Sequence, residues 1–267
     1  MKCIVCGNPN PGWDYTQPVD VSLKKSWGIN TGLAELFNYR EGTLCQNCGV
    51  NLRATGLAKG ILKHYRKTGE FSEWVKWANK TKLRVAEINP CHQLHEQLKK
   101  ITQLTTSNYG DKATEDIQNL SYDDNTFDLV LHSETLEHID DPLKALDECR
   151  RVIKDDGVVV FTIPMIWGRK TRRRAAISKG RVKNILPPAY HGYNKPDYLV
   201  FWEFGRDFIN KAGCRVLWFD SRSQTYVLVA HKRRESIPSR EMIKYQVLEK
   251  TAVLKREHRK QWQKKSN

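Results

Sequence analysis

The 267-residue sequence lacks any run of eighteen or more apolar residues, so it predicts no helix that spans a membrane. Its first residues, MKCIVCGNPN, lack the basic region and apolar stretch of a signal peptide. The number of cysteines is odd, at seven. In a sequence without a recognisable secretion signal, this argues against a disulfide framework. We therefore expect a cytoplasmic protein whose thiols are reduced, buried or bound to metal.

The net charge of +15 is unevenly distributed along the chain. Residues 1–80 carry +5, residues 81–165 carry −7 and residues 166–267 carry +17. A basic last third favours contact with phosphates, nucleic acid or a membrane surface, but a solvated face with a basic tail has the same composition. No base-stacking motif of the common RNA-binding modules is visible, so nucleic acid remains a secondary alternative.

Two C-x-x-C pairs predict a structural zinc site. CIVC supplies Cys3 and Cys6, and CQNC supplies Cys45 and Cys48. Each pair can bring two thiolates to one ion from a tight turn, and two pairs complete the tetrahedral shell that structural zinc requires. A redox pair or simply buried cysteines are the alternatives. A glycine follows each pair and gives the turn the backbone freedom it needs.

From residue 81 onward, alternating strand and helix patterns predict an α/β domain. LRVAEI, TQLTTS and TFDLVLHS are typical of short buried strands, and HQLHEQLKKI of a helix. The clearest helix should begin at Pro142 after a capping aspartate, end at Gly157, and be followed by a buried strand over Val158–Ile163. This alternation predicts a doubly wound, mainly parallel sheet, whose ligands bind beyond the carboxyl ends of the strands.

The same patterns predict four parts of the chain. We expect a small zinc-ribbon-like module at residues 1–52, a linker helix at 53–80, an α/β domain at 81–232, and a basic C-terminal helix or tail at 233–267. The sequence leaves the oligomeric state open.

The run FDLVLHSETLEH, followed by a capped helix, RRVIKDDG and a strand, resembles class I S-adenosylmethionine-dependent methyltransferases, especially the branch associated with polysaccharide and glycan biosynthesis. The resemblance is most specific over residues 115–164. It extends through CQNCGVNLRATG and RRRAAISKGRVKNILPPAYHG and covers about residues 1 to 231. It implies a Rossmann-like methyltransferase fold with S-adenosylmethionine as cofactor.

The resemblance also implies which residues face the cofactor. Glu87 matches the acidic residue of the first motif, and Asn89, Cys91 and Gln93 stand at the positions of its three glycines. The remaining implied cofactor-binding residues are Asn108 at the ribose hydroxyls, Asp116 and Ile117 at the adenine, and Ser133 at the end of the fourth strand.

The stretch AEINPCHQL, residues 86–94, is a cofactor loop without glycine. Glycine lets a backbone approach a ligand closely and adopt a positive φ. Asn89 tolerates that region better than most residues, but Pro90 favours an extended neighbour, and Cys91 and Gln93 add Cβ atoms. A reshaped cofactor site and a non-catalytic methyltransferase-like scaffold both stay open. Glu87 could instead pair at the strand end, and Asp116 could be an ordinary turn residue.

Methyl transfer to a hydroxyl requires positioning and profits from a general base. His138 in LEHID and His191 in PPAYHGY are the candidates, although each has a structural alternative in a loop or lid. Arg172, Arg173 and Arg174 can hold the phosphate or carboxylate of an acceptor, or can form a solvated loop. We predict O-methylation of a sugar, nucleotide-sugar or glycan-related intermediate, with an RNA methyltransferase as the alternative.

Overall fold

A computed structural model describes residues 2–107, 115–166, 168–191 and 198–235. The strands are β1 (Trp13–Tyr15), β2 (Thr43–Cys45), β3 (Val85–Ile88), β4 (Leu104–Ser107), β5 (Phe127–Ser133), β6 (Ile153–Thr162), β7 (Arg172–Arg173), β8 (Ala175–Ser178), β9 (Arg181–Asn184), β10 (Trp202–Glu203), β11 (Arg215–Asp220) and β12 (Thr225–His231). The α-helices are α1 (Val21–Trp27), α2 (Thr31–Gly42), α3 (Leu52–His64), α4 (Phe71–Lys80), α5 (His95–Leu98), α6 (Pro142–Val152) and α7 (Asp207–Lys211), and 3₁₀ turns cover His92–Leu94 and Leu136–His138.

Six strands form the central sheet in the order β11-β12-β6-β5-β3-β4. Strands β4, β3, β5 and β6 are mutually parallel, whereas β12 is antiparallel to both of its neighbours. This confirms a Rossmann-like sheet, with one antiparallel strand making it mixed. The chain places β4 on one side of β3 and β5 on the other, so a topological switch point lies at the carboxyl ends of β3 and β5, where ligands of such sheets bind.

Both faces of the sheet are covered, which explains the nearly continuous apolar strands. Successive side chains of a strand point to opposite faces. One core therefore contains Ala86, Ile88, Val130, Val159 and Phe161, and the other contains Val85, Leu129, Leu131, Val158 and Val160. The second core also contains Cys3, Cys45 and Val50, and Cys6 and Cys48 pack against it, so the cysteine pairs belong to the core on this face of the sheet.

Helix α3 packs against the sheet, and two of its glycines face strand β12. A Cβ atom at Gly56 would stand 2.7 Å from Cγ2 of Thr225, and one at Gly60 would stand 2.5 Å from Cγ1 of Val227. The backbone of α3 thus approaches β12 more closely than any side chain would permit. The helix predicted as a linker therefore forms part of a layer over the sheet. The predicted boundaries at 52, 80 and 232 remain predictions.

Helix α6 begins as predicted and ends earlier than predicted. Oδ1 of Asp141 accepts the backbone N–H groups of Leu143 and Lys144, and Pro142 follows the cap. The helix ends at Val152, not at Gly157. Strand β6 starts at Ile153, which pairs with Phe127, and the pairing with β5 is irregular between Phe127 and Leu129. The strand therefore begins at Ile153, where the sequence predicted that the helix continues.

One further prediction differs from the structure. The helix predicted after β3 divides into the 3₁₀ turn His92–Leu94 and the four-residue α5. The run FWEFGRDFINKAGC forms β10 and the five-residue α7. Residues 175–184 form an exposed antiparallel hairpin of β8 and β9. Most of the predicted C-terminal helix lies outside the described residues. Within the described part, no helix is long and apolar enough to cross a membrane.

Candidate cofactor and acceptor site

The carboxyl ends of β3, β4 and β5 bring several predicted residues to one edge of the sheet. Ile88 pairs with Ser107 on one side and with His132 on the other, and the N–H of Asn89 donates to the carbonyl of Ser107 at 2.9 Å. Ser133 follows His132 at the end of β5. The loop after Glu87 and the end of β5 therefore flank the switch point of the sheet.

The carboxylate of Glu87 is fully buried and already has two partners. Its Oε1 accepts the backbone N–H of Cys91 at 2.8 Å, and its Oε2 lies 2.5 Å from Nδ1 of His95. Glu87 therefore closes the glycine-free loop on itself. Pairing at the strand end, which the sequence left open, is the arrangement that the structure contains.

The glycine-free loop meets the backbone demands of its position without glycine. Asn89 has φ of 60° and His92 has φ of 53°, both in the left-handed region that normally favours glycine. The tolerance of Asn89 for this region therefore prevails over the extended preference expected from Pro90. The side chain of Cys91 is fully buried in the second core, and burial raises the pKa of its thiol well above the ordinary value. Gln93 is exposed.

The predicted adenine contacts lie in the loop after β4. Asp116 is exposed, and its Oδ1 accepts the N–H of Gln118 at 2.8 Å, as in a local turn. Ile117 is buried in the same core as Ile88. Ile117 thus contributes to the core on one face of the sheet. The predicted ribose contact, Asn108, lies outside the described residues.

A charge cluster joins α2 and α3 to the end of β5. Nε of Arg53 donates to both oxygens of Glu41, at 3.1 and 3.0 Å, and its Nη1 donates to Oγ of Ser133. Arg40 contacts Glu41 at 2.7 Å and Glu134 at 3.3 Å. Two guanidinium groups face two carboxylates, so the cluster is neutral when both acids are ionised.

The two acids of this cluster have opposite pKa shifts. Burial raises the pKa of Glu41, but Arg53 and Arg40 outweigh it and bring the value to about 2. At Glu134 burial dominates, Arg40 opposes it only in part, and Glu137 adds repulsion, so the pKa rises to about 7. Within the described residues, Oε1 of Glu134 has no hydrogen-bond partner. Burial therefore favours the protonated form of Glu134 more than it does for an ordinary carboxyl group.

The two candidate histidines meet at one buried carboxylate. Nδ1 of His191 lies 3.4 Å and Nε2 of His138 lies 3.6 Å from Oε1 of Glu137, which is fully buried. Both distances exceed a normal hydrogen bond, and no hydrogen bond from the described part of the chain reaches either oxygen of Glu137. Burial raises the pKa of Glu137, but His138 and His191 outweigh it and lower the value.

The loop that carries His191 is held against this carboxylate. Nδ1 of His138 lies 3.0 Å from the carbonyl oxygen of Leu199, and the N–H of Phe201 donates to the carbonyl of Glu137 at 2.7 Å. The ring of His191 packs edge-on against Trp27, with centroids 5.0 Å apart. Burial, opposed by Glu137, lowers the pKa of His138, so His138 is neutral at neutral pH.

The three consecutive arginines have carboxylate partners within the chain. Arg172 and Arg174 both contact the buried carboxylate of Glu203, and Arg173 contacts Asp140. Arg174 is buried and also donates to the carbonyl of Pro187. These contacts fix the segment that leads to His191. Holding an acceptor's phosphate, as the sequence suggested, is not how the structure uses Arg174.

The four predicted cysteine ligands form one cluster. Their Sγ atoms all lie within 4.8 Å of one another, with 3.8 Å between Cys3 and Cys48 and 3.9 Å between Cys6 and Cys45. A tetrahedron of thiolates with Zn–S bonds of about 2.3 Å has edges of about 3.8 Å. The donor set therefore fits a zinc ion. The described residues contain one further group of this kind, Glu137 with His138 and His191.

Comparison with known proteins identifies one segment of the chain. Residues 68–161 match the family model described as a methyltransferase domain. We refer to these residues, which are similar to that domain, as the methyltransferase-type segment. The switch-point edge formed by β3 and β5 lies within it, whereas His191 and the cysteine cluster lie outside it.

Curated relatives match about a third of the chain. A ubiquinone biosynthesis O-methyltransferase of Histophilus somni is 30% identical over 93 residues, which cover 33% of this chain and 38% of that protein. The protein of the same name from Cereibacter sphaeroides is 33% identical over 90 residues, which cover 33% and 34%. The chain thus spans little more than a third of the length of these relatives.

Solved structures resemble the chain weakly. A methyltransferase from Mesorhizobium loti is 14% identical, with coverage of 60% of this chain and 97% of that one and a TM-score of 0.36. The 1,6-didemethyltoxoflavin-N1-methyltransferase of Burkholderia thailandensis, with bound S-adenosylhomocysteine, is 11% identical, with coverage of 59% and 73% and a TM-score of 0.38. Similarity at this level says nothing about activity.

The sequence did not single out the charged residues that surround the predicted ones. Glu137 stands beside His138 in LEHID, and an acid next to a candidate base is a signal for an orienting carboxylate. Arg53 lies in CQNCGVNLRATG, a run that already carried the resemblance. Arg40 and Glu41 gave no signal, because only the fold brings α2 to the end of β5.

Proposed function

We propose that this protein is an S-adenosylmethionine-dependent O-methyltransferase. The observation that carries the proposal is the contact of His191 with the buried carboxylate of Glu137, close to the carboxyl end of β5. The methyltransferase-type segment supplies the strands that hold this end of the sheet. Acceptor activation and cofactor binding then take place at adjoining parts of one edge.

His191 is proposed as the general base. S-adenosylmethionine supplies an electrophilic methyl group, and the chain has to position the acceptor hydroxyl and take its proton. Because Nδ1 of His191 faces Oε1 of Glu137 at 3.4 Å, the carboxylate favours the tautomer with hydrogen on Nδ1. Nε2 then carries a lone pair that can accept the proton of the hydroxyl.

His138 is proposed as the second catalytic residue. The carbonyl of Leu199 can only accept, so Nδ1 of His138 carries hydrogen in that 3.0 Å contact, and Nε2 is unprotonated in the neutral ring. This Nε2 lies 3.6 Å from Oε1 of Glu137. His138 therefore orients the acceptor loop and stands ready to receive a proton beside Glu137.

The proposed cofactor site follows the edge of the sheet. Support comes from the left-handed backbone of Asn89, the closed turn of Glu87 with Cys91, and Ser133 at the end of β5. Asp116 and Ile117 are proposed for the adenine, and Asn108 for the ribose. A structural zinc ion on Cys3, Cys6, Cys45 and Cys48 completes the proposed cofactor set, supported by the spacing of the four Sγ atoms.

A sugar, nucleotide-sugar or glycan-related hydroxyl is the proposed acceptor. The support is the resemblance of the segment 172–191 to the substrate-side region of glycan-associated methyltransferases. The exposed β8–β9 hairpin lies in this segment, and Asp140 ties it to the 3₁₀ turn of His138 by accepting the N–H of Ile177 at 2.8 Å. The acceptor would thus be bound between the hairpin and the two histidines.

Calorimetry with S-adenosylhomocysteine tests cofactor binding, and transfer of a radiolabelled methyl group to a panel of nucleotide sugars and to RNA tests the acceptor. We expect micromolar binding of S-adenosylhomocysteine and transfer to at least one sugar.

His191→Ala should lower kcat by about 10²-fold or more and leave binding of S-adenosylhomocysteine unchanged. His231→Ala, at the far end of β12, should change neither kcat nor binding. Absence of any binding would instead favour a non-catalytic scaffold, and transfer to RNA alone would overturn the sugar acceptor.

A further inference from the structure

The cysteine turn Cys45–Cys48 lies against the glycine-free loop. Gly49, directly after the turn, has φ of 71°, and a Cβ atom placed there would stand 3.3 Å from Cγ of Gln93. The turn is closed by two backbone bonds, from the N–H of Gly49 to the carbonyl of Cys45 at 2.7 Å and from the N–H of Cys45 to the carbonyl of Val50 at 3.0 Å. The glycine-free loop therefore lies beside a glycine of another segment, Gly49.

The cysteine cluster and the glycine-free loop also share one core. Cys3, Cys45 and Val50 are at most 1% exposed and belong to the same apolar cluster as Cys91 and Leu94. Protein interiors are packed closely enough that a shift on one side of such a contact is transmitted to the other. The position of residues 91–94 therefore depends on the position of the cysteine turns.

The same turn sets the start of α3. Asn51 caps α3 by accepting the N–H of Ala54 at 2.8 Å, and its side-chain amide donates to Glu41 at 2.9 Å. Two residues later, Arg53 contacts Glu41 and donates to Oγ of Ser133. Ser133 in turn lies 2.7 Å from Oγ1 of Thr162 at the end of β6. The chain from Cys48 to Arg53 thus connects the cysteine cluster to the ends of β5 and β6.

We propose that the metal-bound cysteine turn is one wall of the cofactor site, with Gly49 supplying clearance to the glycine-free loop and Arg53 fixing the end of β5. A tetrahedral zinc ion would hold both turns in place, because four thiolates about 3.8 Å apart repel one another without it. Cofactor affinity then requires the metal and requires glycine at position 49. This inference rests on the proposed binding of S-adenosylmethionine.

Gly49→Ala tests the wall without removing a metal ligand. The added Cβ meets Gln93 and strains a positive φ, so the variant should retain one zinc per chain and bind S-adenosylhomocysteine about tenfold or more weakly. Adding Gln93→Ala should recover part of the loss, because it removes the neighbour that the Cβ meets. Gly168→Ala is the matched control, since Gly168 has φ of 76° and no atom within 4 Å of its added Cβ.

Stepwise removal of zinc with a chelator gives a second measurement, with zinc content, calorimetric binding and thermal melting followed on the same full-length sample. Affinity should fall in step with zinc content. If the metal-loaded wild type does not bind S-adenosylhomocysteine, the proposed function fails. If it binds, and Gly49→Ala binds equally well with its zinc retained, this inference is overturned while the proposed function stands. A folded, zinc-free protein that binds as tightly as the loaded one would overturn the inference in the same way.

Discussion

Oε2 of Glu87 lies 2.5 Å from Nδ1 of His95, eight residues further along the chain. The other oxygen of this carboxylate accepts the N–H of Cys91, so one buried acid contacts both the middle of the loop after β3 and the first residue of α5. In a loop with glycines, backbone freedom would allow the close approach to a ligand. In this loop, the side chain of Glu87 holds the turn, so the shape of the loop depends on Glu87.

Replacement of Glu87 should therefore destabilise the fold as well as the loop. Glu87→Ala leaves the buried N–H of Cys91 without an acceptor, and we expect the free energy of unfolding to fall by about 2 kcal/mol. Glu87→Gln keeps an acceptor oxygen and should cost less. Urea denaturation followed by circular dichroism measures both. An equal cost for Ala and Gln would show that the contact with Cys91 contributes nothing.

Replacement of Glu137 should separate orientation of the base from binding. Glu137→Gln keeps the size of the side chain but removes the charge that faces His191, so we expect kcat to fall by about tenfold or more, with the affinity for S-adenosylhomocysteine unchanged. Glu137→Asp should recover part of the rate. A loss confined to KM, with kcat intact, would assign Glu137 to acceptor binding and not to orientation of the imidazole.

Glu134 should make stability decrease as pH rises. Its pKa is about 7 in the folded protein against an ordinary value of 4.5, so the folded state keeps a proton that the unfolded state loses. The favourable contribution is complete below pH 4.5 and is lost as pH rises through 7. Glu134→Gln, which imitates the protonated acid, should therefore stabilise the protein relative to wild type at pH 8, by up to about 3 kcal/mol, and much less at pH 5.

Urea denaturation at the two pH values checks this, with Glu73→Gln as the control, because Glu73 is 62% exposed. A stability difference between Glu134→Gln and wild type that is the same at pH 5 and pH 8 would contradict the raised pKa.

Loss of one cysteine ligand should lower both metal content and stability. We expect about one zinc per chain by elemental analysis, a lower content in Cys48→Ser, and a melting temperature reduced by at least about 5 °C. Cys149→Ala removes a fully buried thiol of the other core and should leave the zinc content unchanged. Equal zinc contents in the two variants would show that the cysteine cluster does not hold the ion.

The close approach of α3 to β12 should not tolerate a methyl group. Gly60→Ala places a Cβ 2.5 Å from Cγ1 of Val227, and such overpacking costs about 1–3 kcal/mol despite the higher helix propensity of alanine. Val227→Ala alone should destabilise by leaving a cavity. In the double variant the two changes compensate, so its loss should be smaller than the sum of the single losses. Additive losses in denaturant would mean that the helix and strand do not meet at Gly60.

Local signals predicted the elements that local chemistry determines. The capping aspartate and Pro142 predicted the start of α6, and β-branched runs predicted β5 and β6. The predicted helix end at Gly157 is wrong. The helix ends at Val152, and pairing of Ile153 with Phe127 stabilises a strand in place of the last predicted turn. The sequence could not show that Gly56 and Gly60 face a strand, since an apolar helical stripe does not reveal what covers it.

The sequence indicated residues near the strand ends of the candidate site, but not the charged residues around them. The motifs that carry the resemblance indicated Glu87, Ser133, His138 and His191. The pairing of Glu41 with Arg53, and of Arg40 with Glu134 across 94 positions of sequence, depends on how α2 and α3 pack against β5. Contacts of such separation leave no periodic trace in a single sequence.

The two glycines of α3 also restrict the length of the chain that precedes them. One residue inserted or deleted between Cys48 and Gly56 would rotate the helix by about 100° and turn Thr55 or Leu57 toward β12 in place of Gly56. The number of residues between Cys48 and Gly56 is therefore fixed by the cysteine cluster at one end and by the contact of α3 with β12 at the other. Variants of this protein that fold alike should differ freely in the β8–β9 hairpin and keep this one interval constant.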